Sequence, residues 1–176
     1  QERIIQVMSN YLSHCISGTS SISQAAAVEA FAGPQDEIEE MRRTFRVMEE
    51  SVASGIDPDL RSTSGLTGGT AYRMQQAVRE GRTICGEVFG GALTRALAVS
   101  ELNASMGRIV ASPTAGSCGI LPAAVLTIRD ARGLDERTCV MSLFTASAVG
   151  MVIANNACLA GAQGGCQAEC GSASAM

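Results

Sequence analysis

Three of the seven cysteines lie in glycine-rich loops: Cys118 in Gly116-Ser117-Cys118-Gly119, and Cys166 and Cys170 in Gly164-Gly165-Cys166-Gln167-Ala168-Glu169-Cys170-Gly171. Thiolates are soft ligands that hold zinc or iron–sulfur clusters. Glycine next to them permits tight turns and leaves space for a bulky group. A Cys-x-x-x-Cys pair alone fits two packed thiols in a loop about as well as it fits a metal site. Cys118 strengthens the metal reading, because it precedes the apolar run Ile120-Leu121-Pro122. A helix N-terminus there would favour thiolate charge. Zinc stays in competition, but its structural sites usually take four Cys or His ligands. The only histidine, His14, lies far off in an amphipathic stretch and reads as a surface or capping residue. Cys158, near the end of an apolar helix, is the available fourth thiol. Three cysteines with one open metal position suit Lewis-acid catalysis better than a structural knot.

Composition narrows the chemistry. All thirteen basic residues are arginine and there is no lysine. The chain therefore cannot form a Schiff base with pyridoxal phosphate, nor supply the lysine of a phosphate-binding P-loop. A net charge of −4 without a basic stripe argues against nucleic acid as a partner. Seven cysteines is an odd set, no secretory signal is visible, and several cysteines lie in apolar stretches. That pattern does not read as a disulfide framework, and the expected compartment is the cytoplasm.

The elements that must position these residues read as helices. Hydrophobic residues make up 46% of the 176 residues and aromatics only 3%, so small side chains must pack backbones closely. Ile4, Ile5, Met8, Leu12 and Ile16 have helical spacing, ending near Gly18, and Ser20 to Phe31 is a weaker, alanine-rich candidate. After Pro34, the residues Ile38, Met41, Phe45, Met48 and Val52 form one apolar face, with Asp36 as a cap and Gly55 as a stop. A loop from Asp57 to Gly69 leads to a short helix ending near Glu80. Helices are then expected over about 86–106, 120–131 and 135–157, separated by a loop at 107–119 and followed by another at 160–171. Thr138 to Ala168 carries no charge. Its apolar core is interrupted by Ser142, Thr145, Ser147 and Gly150, and it lacks aromatic belts. It reads as a central helix buried on all sides rather than a membrane span. No strand pattern and no repeat is visible. The expectation is one all-α domain over 1–176, a helical bundle whose glycine-rich loops converge on a metal-cluster site. Its last residues, Gly171 to Met176, read as the start of a helix cut short, so the chain is expected to be incomplete at its C-terminus.

Three segments resemble the α portion of the iron–sulfur L-serine dehydratases: Ser64-Gly65-Leu66-Thr67-Gly68-Gly69, Ala111-Ser112-Pro113-Thr114-Ala115-Gly116-Ser117-Cys118-Gly119, and Gly165-Cys166-Gln167-Ala168-Glu169-Cys170-Gly171-Ser172-Ala173-Ser174-Ala175-Met176. Val99-Ser100-Glu101-Leu102-Asn103-Ala104-Ser105-Met106-Gly107 fits as well. The likeness runs from about Met41 onward and is weaker over the first thirty residues.

The resemblance implies conversion of L-serine to pyruvate and ammonia with a [4Fe–4S] cluster instead of pyridoxal phosphate. Cys118, Cys166 and Cys170 would hold the cluster and leave one iron free to bind the serine hydroxyl. A base would then remove the α-proton, and the resulting enamine would tautomerise and hydrolyse. The missing lysine agrees independently. Some members of the family place the third cysteine eight residues after the second, which here is Ser174; Cys170 stands in its stead. Cys158 and Cys85 are the fallback ligands, and Cys15 and Cys139 read as core.

Substrate contacts are expected from Thr67, Gly68, Gly69 and Thr70, whose backbone N–H groups and hydroxyls before a helix could grip a carboxylate, an ordinary turn and helix cap being the alternative. Thr114, Gly116 and Ser117, beside Cys118, are the second set. Arg73 and Arg108 could pair with a carboxylate but read first as surface or capping residues, Asn155 and Asn156 as caps of a buried helix or residues facing the site, and Glu169 as a hydrogen-bonding neighbour of the ligands or a catalytic group. The resemblance also implies a β subunit or domain carrying a Ser-Ser-His-Thr-type motif, absent here, and a hetero- or homo-oligomer. The isolated fragment is then expected to be inactive. A non-catalytic zinc module is the alternative function. An electron carrier would usually show four cysteines in close runs.

Overall fold

A computed structural model describes residues 35–159 and 161–176. The helices expected before Pro34, and with them His14 and Cys15, lie outside the described residues. Among the described residues the chain is all-α, with no strand: α1 (Gln35–Gly55), α2 (Thr70–Arg79), α3 (Gly86–Ala104), α4 (Ile120–Arg132), α5 (Glu136–Asn156), α6 (Gly161–Gly164) and α7 (Cys166–Ala175). A single 3-10 turn, Ala115–Ser117, precedes α4.

Helix α1 forms for the reason its spacing predicts. Ile38, Phe45, Met48 and Val52 are buried on one face, Met41 packs at the margin of the same core, and Asp36 and Glu37 lie in the first turn, where the helix dipole favours acids. The helix reaches back to Gln35, so Asp36 lies inside it rather than at its cap. Phe45 is fully buried, and the Arg129 guanidinium lies 5.7 Å from its ring centroid. Arg129 also pairs with Glu49, tying α4 to α1, and Arg42 Nε pairs with Glu136 at 2.8 Å, tying α1 to α5.

The hub of the packing is α3. Helices α1, α2 and α4 all lie against it, and its buried positions include Gly90, Thr94, Ala98, Val99, Glu101 and Leu102. Small residues make this possible: a Cβ at Gly55 would overlap the Ala98 carbonyl, and one at Gly119 would come within 2.6 Å of the Ala96 carbonyl. The crossings of α1 and α4 on α3 therefore require glycine.

Two expectations are corrected. Helix α5 is not buried on all sides: Cys139, Val140, Met141, Leu143, Ala146, Ala148 and Gly150 face inward, while Ser142, Ser147, Met151 and residues 154–156 are exposed. By length and composition it is the one described helix apolar enough to cross a membrane. In the fold its inner face packs on α1 and α7, because that is where its large side chains lie. Asp135 caps it, accepting from Thr138 N–H at 2.6 Å, and this hydrogen bond holds the Asp135 carboxyl below its usual range.

The stretch 160–171 is not one loop. Gly165, at φ 75°, breaks the chain between α6 and α7, and Cys166 begins a helix. The glycines there punctuate two helices instead of dissolving them.

Two outcomes check this packing. Replacing Gly55 with alanine should cost about 1–3 kcal/mol through forced separation of α1 and α3, read from the urea midpoint of the full-length chain; an unchanged midpoint contradicts the close crossing. The Asp135 cap has a depressed carboxyl, so its contribution is present above the ordinary aspartate range and lost as pH falls through the lower folded value. Asp135→Ala should therefore lower the melting temperature at neutral pH and converge on wild type in strong acid.

Candidate metal centre

Both loops of interest are fastened to the last turn of α3. From the first, Thr63 N–H donates to the Ala104 carbonyl at 3.0 Å. For the second, Asn103 Nδ2 donates to the Ala115 carbonyl at 3.0 Å. The helix end is thus a common post for Thr63 and Ala115, which lie in separate loops of the chain.

The first loop delivers Thr67, Gly68, Gly69 and Thr70 to the start of α2. A Cβ at Gly68 would run into the Leu60 carbonyl, and Gly69, at φ 70°, turns the chain into the helix. The free helix N-terminus expected here is filled from within the chain. Glu101, only 8% exposed, accepts from Thr70 N–H at 2.9 Å and from Ala71 N–H at 3.1 Å. One carboxylate satisfies two of the orphan donors at the helix start. Thr67 N–H is likewise taken, by Ser62 Oγ at 3.2 Å. What the segment still presents outward are the exposed Thr67 and Thr70 side chains, with Arg73 donating to Thr70 Oγ1 at 3.0 Å. Nothing in the sequence marks Glu101 as a site-building residue, because a single acid on a helix ordinarily faces water.

The second loop carries Ser112 to Gly119. Ser117 is buried and donates to the Ser112 carbonyl at 3.2 Å. Thr114 Oγ1 lies 3.3 Å from Ser117 Oγ and donates to Glu169 Oε1 at 2.8 Å. This last contact spans 55 positions and joins the Cys118 loop to α7. Gly116 and Gly161 both close on the same carboxylate: a Cβ there would stand 2.6 Å and 2.5 Å from Glu169 Oε2. Ser112 Oγ is buried without a hydrogen-bond partner among the described residues, an uncompensated cost in the segment next to Cys118.

The three cysteines differ in setting. Cys166 and Cys170 are four residues apart on α7, which puts them on one face, and their sulfurs are 3.6 Å apart. Cys166 is exposed and Cys170 half-buried. Sharing a hydrogen with Cys166 pushes the Cys170 thiol up, with burial adding to it. Cys118 is 1% exposed and belongs to the hydrophobic core with Val99 and Leu121; burial pushes its thiol up. Among the described residues no three His, Cys, Asp or Glu side chains stand close enough to hold one metal ion. The paired Cys166 and Cys170 thiols have the donor chemistry of a thiolate-bound cluster, while Cys118 is packed in the core and is not grouped with them.

The remaining candidates are elsewhere. Cys139 is buried in the core, Cys85 is half-buried at the start of α3, and exposed Cys158 donates to Gln163 at 3.4 Å. Ser174 is exposed and donates to the Cys170 carbonyl at 2.7 Å. Arg108 is exposed, as are Asn155 and Asn156, the latter donating to the Val152 carbonyl at 2.7 Å.

Two measurements follow from these settings. Glu101→Ala should strip two helix-start donors of their partner and cost about 1–3 kcal/mol, read by chemical denaturation; a neutral effect contradicts the cap. In metal-free full-length chain, Cys118 should alkylate more slowly than Cys166. Because burial raises its thiol, its rate should go on climbing at pH values above the ordinary thiol range. A Cys118 rate that levels off within that range contradicts the buried setting.

Residues 4–176 match the family described as serine dehydratase alpha chain. A relative from Bacillus subtilis named "Probable L-serine dehydratase, alpha chain" is 42% identical over 142 residues, covering 81% of this chain and 47% of its own. The L-serine dehydratase alpha chain of Peptoniphilus asaccharolyticus is 41% identical over 130 residues, 74% of this chain and 44% of its own. One from Latilactobacillus sakei, also named as a probable alpha chain, is 56% identical over 85 residues, 48% of this chain and 41% of its own. The chain spans about half the length of the curated relatives it matches. No solved structure matches it. With the match running from residue 4 to the last residue, the chain belongs to the serine dehydratase alpha chain family.

Proposed function

We propose that this chain is the cluster-bearing part of an L-serine ammonia-lyase, converting L-serine to pyruvate and ammonia without pyridoxal phosphate. The observation that carries the reading is the Cys166–Cys170 pair, 3.6 Å apart on α7, latched through Glu169 to the loop that ends in Cys118. Cys118, Cys166 and Cys170 would hold a [4Fe–4S] cluster. When bound, the cluster supplies a Lewis acid that makes the substrate hydroxyl a better leaving group.

The chain's own residues bind and orient. Thr114 and Ser117 put hydroxyls beside Cys118 whose protons are already given to Glu169 and to the Ser112 carbonyl, so toward substrate they would act as acceptors, for its ammonium group. Gly116 lets that segment close on the Glu169 carboxylate. Thr67, Gly68, Gly69 and Thr70 form the second wall, reaching substrate through the Thr67 and Thr70 hydroxyls, because the Thr70 and Ala71 amides already serve Glu101. This chain holds one histidine, His14, and a β subunit or domain, within a hetero- or homo-oligomer, contributes to the site. A thiolate-held cluster of this kind suits the reducing cytoplasm.

The test is anaerobic assay of the full-length enzyme with its β part. Brown protein that releases pyruvate from serine, and that loses colour and turnover together in air, is the expected result. Cys118→Ser, Cys166→Ser and Cys170→Ser should each lose at least about tenfold in turnover. Colourless protein with stoichiometric zinc, or turnover indifferent to air, overturns the reading.

A further inference from the structure

Glu169 is half-buried, and its carboxylate meets two other segments, the distant Thr114–Gly116 stretch and Gly161 at the start of α6. Thr114 Oγ1 donates to Oε1 at 2.8 Å. Gly116, on the 3-10 turn before Cys118, and Gly161, at the start of α6, are both packed so closely on Oε2 that a Cβ at either would approach within 2.6 Å or 2.5 Å. Glu169 itself stands in the first turn of α7, between Cys166 and Cys170, where the helix N-terminus stabilises a negative charge. The Cys118 side of this contact is held in turn by Asn103 on the Ala115 carbonyl. A carboxylate with a hydroxyl donor and two glycines closed around it is built into the packing, not extended toward solvent.

We infer that Glu169 is a positioning residue: its carboxylate latches the Thr114–Cys118 segment to α7 in the register that lets Cys118 reach the same cluster as Cys166 and Cys170. This role rests on the cluster reading above, and it assigns the glycines at 116 and 161 a reason, since any side chain there would displace the carboxylate. Removing the latch leaves all three thiols in the chain but frees the segment that carries Cys118 from the helix that carries the other two. Partners that orient metal ligands act in this way generally, and losing one weakens metal binding about 10–100-fold.

The experiment uses the full-length chain with its β part and two readouts besides turnover. In metal-free protein, the alkylation rate of Cys118 reports how firmly its segment is held. In anaerobically reconstituted protein, the rate at which a chelator removes iron reports how well the cluster is gripped. Glu169→Ala and Thr114→Val should each raise both rates about tenfold, and the double variant should do no more than either one. Gly116→Ala and Gly161→Ala should reproduce the effect through the crowded carboxylate. Glu169→Gln, whose amide oxygen still accepts from Thr114, should bring both rates back near wild type. Unchanged alkylation in Glu169→Ala, or additive effects in the double variant, overturns the latch. A Glu169→Gln enzyme with a firmly held cluster but no turnover makes Glu169 a catalytic residue and overturns the positioning role. Wild-type chain that takes up no iron and sulfide overturns the cofactor reading, and this role with it, whatever the alkylation rates.

Discussion

The buried carboxylate of Glu101 joins the end of α3 to the start of α2, and the loops around the site depend on that end being fixed. Two N–H groups of α2 converge on it. Within the same turn of α3, Ala104 accepts from one loop and Asn103 donates to the other. A buried carboxylate is costly unless it is hydrogen-bonded, so this one holds only while α2 and α3 keep their relative placement. The constraint fixes a post from which two irregular segments can be hung without large side chains to pin them.

A second carboxylate repeats the device at the other side of the site. Glu169 ties the Cys118 loop to α7 as Glu101 ties the first loop's helix to α3. In a chain so rich in alanine, glycine and serine, backbones approach closely and the few acids can reach backbone or hydroxyl donors across element boundaries. That explains why glycine recurs where segments meet: at Gly55 and Gly119 against α3, and at Gly116 and Gly161 around Glu169. Close packing and polar latches are two sides of one design, because only small residues let the carboxylates in.

Much of the fold was legible from local pattern. The apolar face of α1 follows from five residues at helical spacing, and α5 begins close to position 135, where the pattern places its start. The all-α class follows from the same periodicity. What was not legible depended on long-range contact. The fate of Glu101 needs the crossing of α2 and α3, and the Thr114–Glu169 bond spans 55 positions. The 160–171 stretch was misread because its glycines mark the ends of two short helices, and glycine at a helix boundary looks the same in sequence as glycine in a loop. The all-round burial expected of α5 failed for a related reason: uncharged serine, alanine and asparagine do not oblige a helix to be covered. For the site, the glycine context singled out Cys118, Cys166 and Cys170. It carried no information that Cys166 and Cys170 share a helix face while Cys118 points into the core.

The central claim is that these three thiols hold one cluster with an iron left open to substrate. Mössbauer spectra of the full-length enzyme, loaded anaerobically with iron-57 and recorded before and after adding L-serine, test it most directly. The account predicts one iron component distinct from the others whose parameters change when serine is added, while the rest stay put. A cluster whose irons are all indifferent to serine, or a chain that binds no iron, would contradict it.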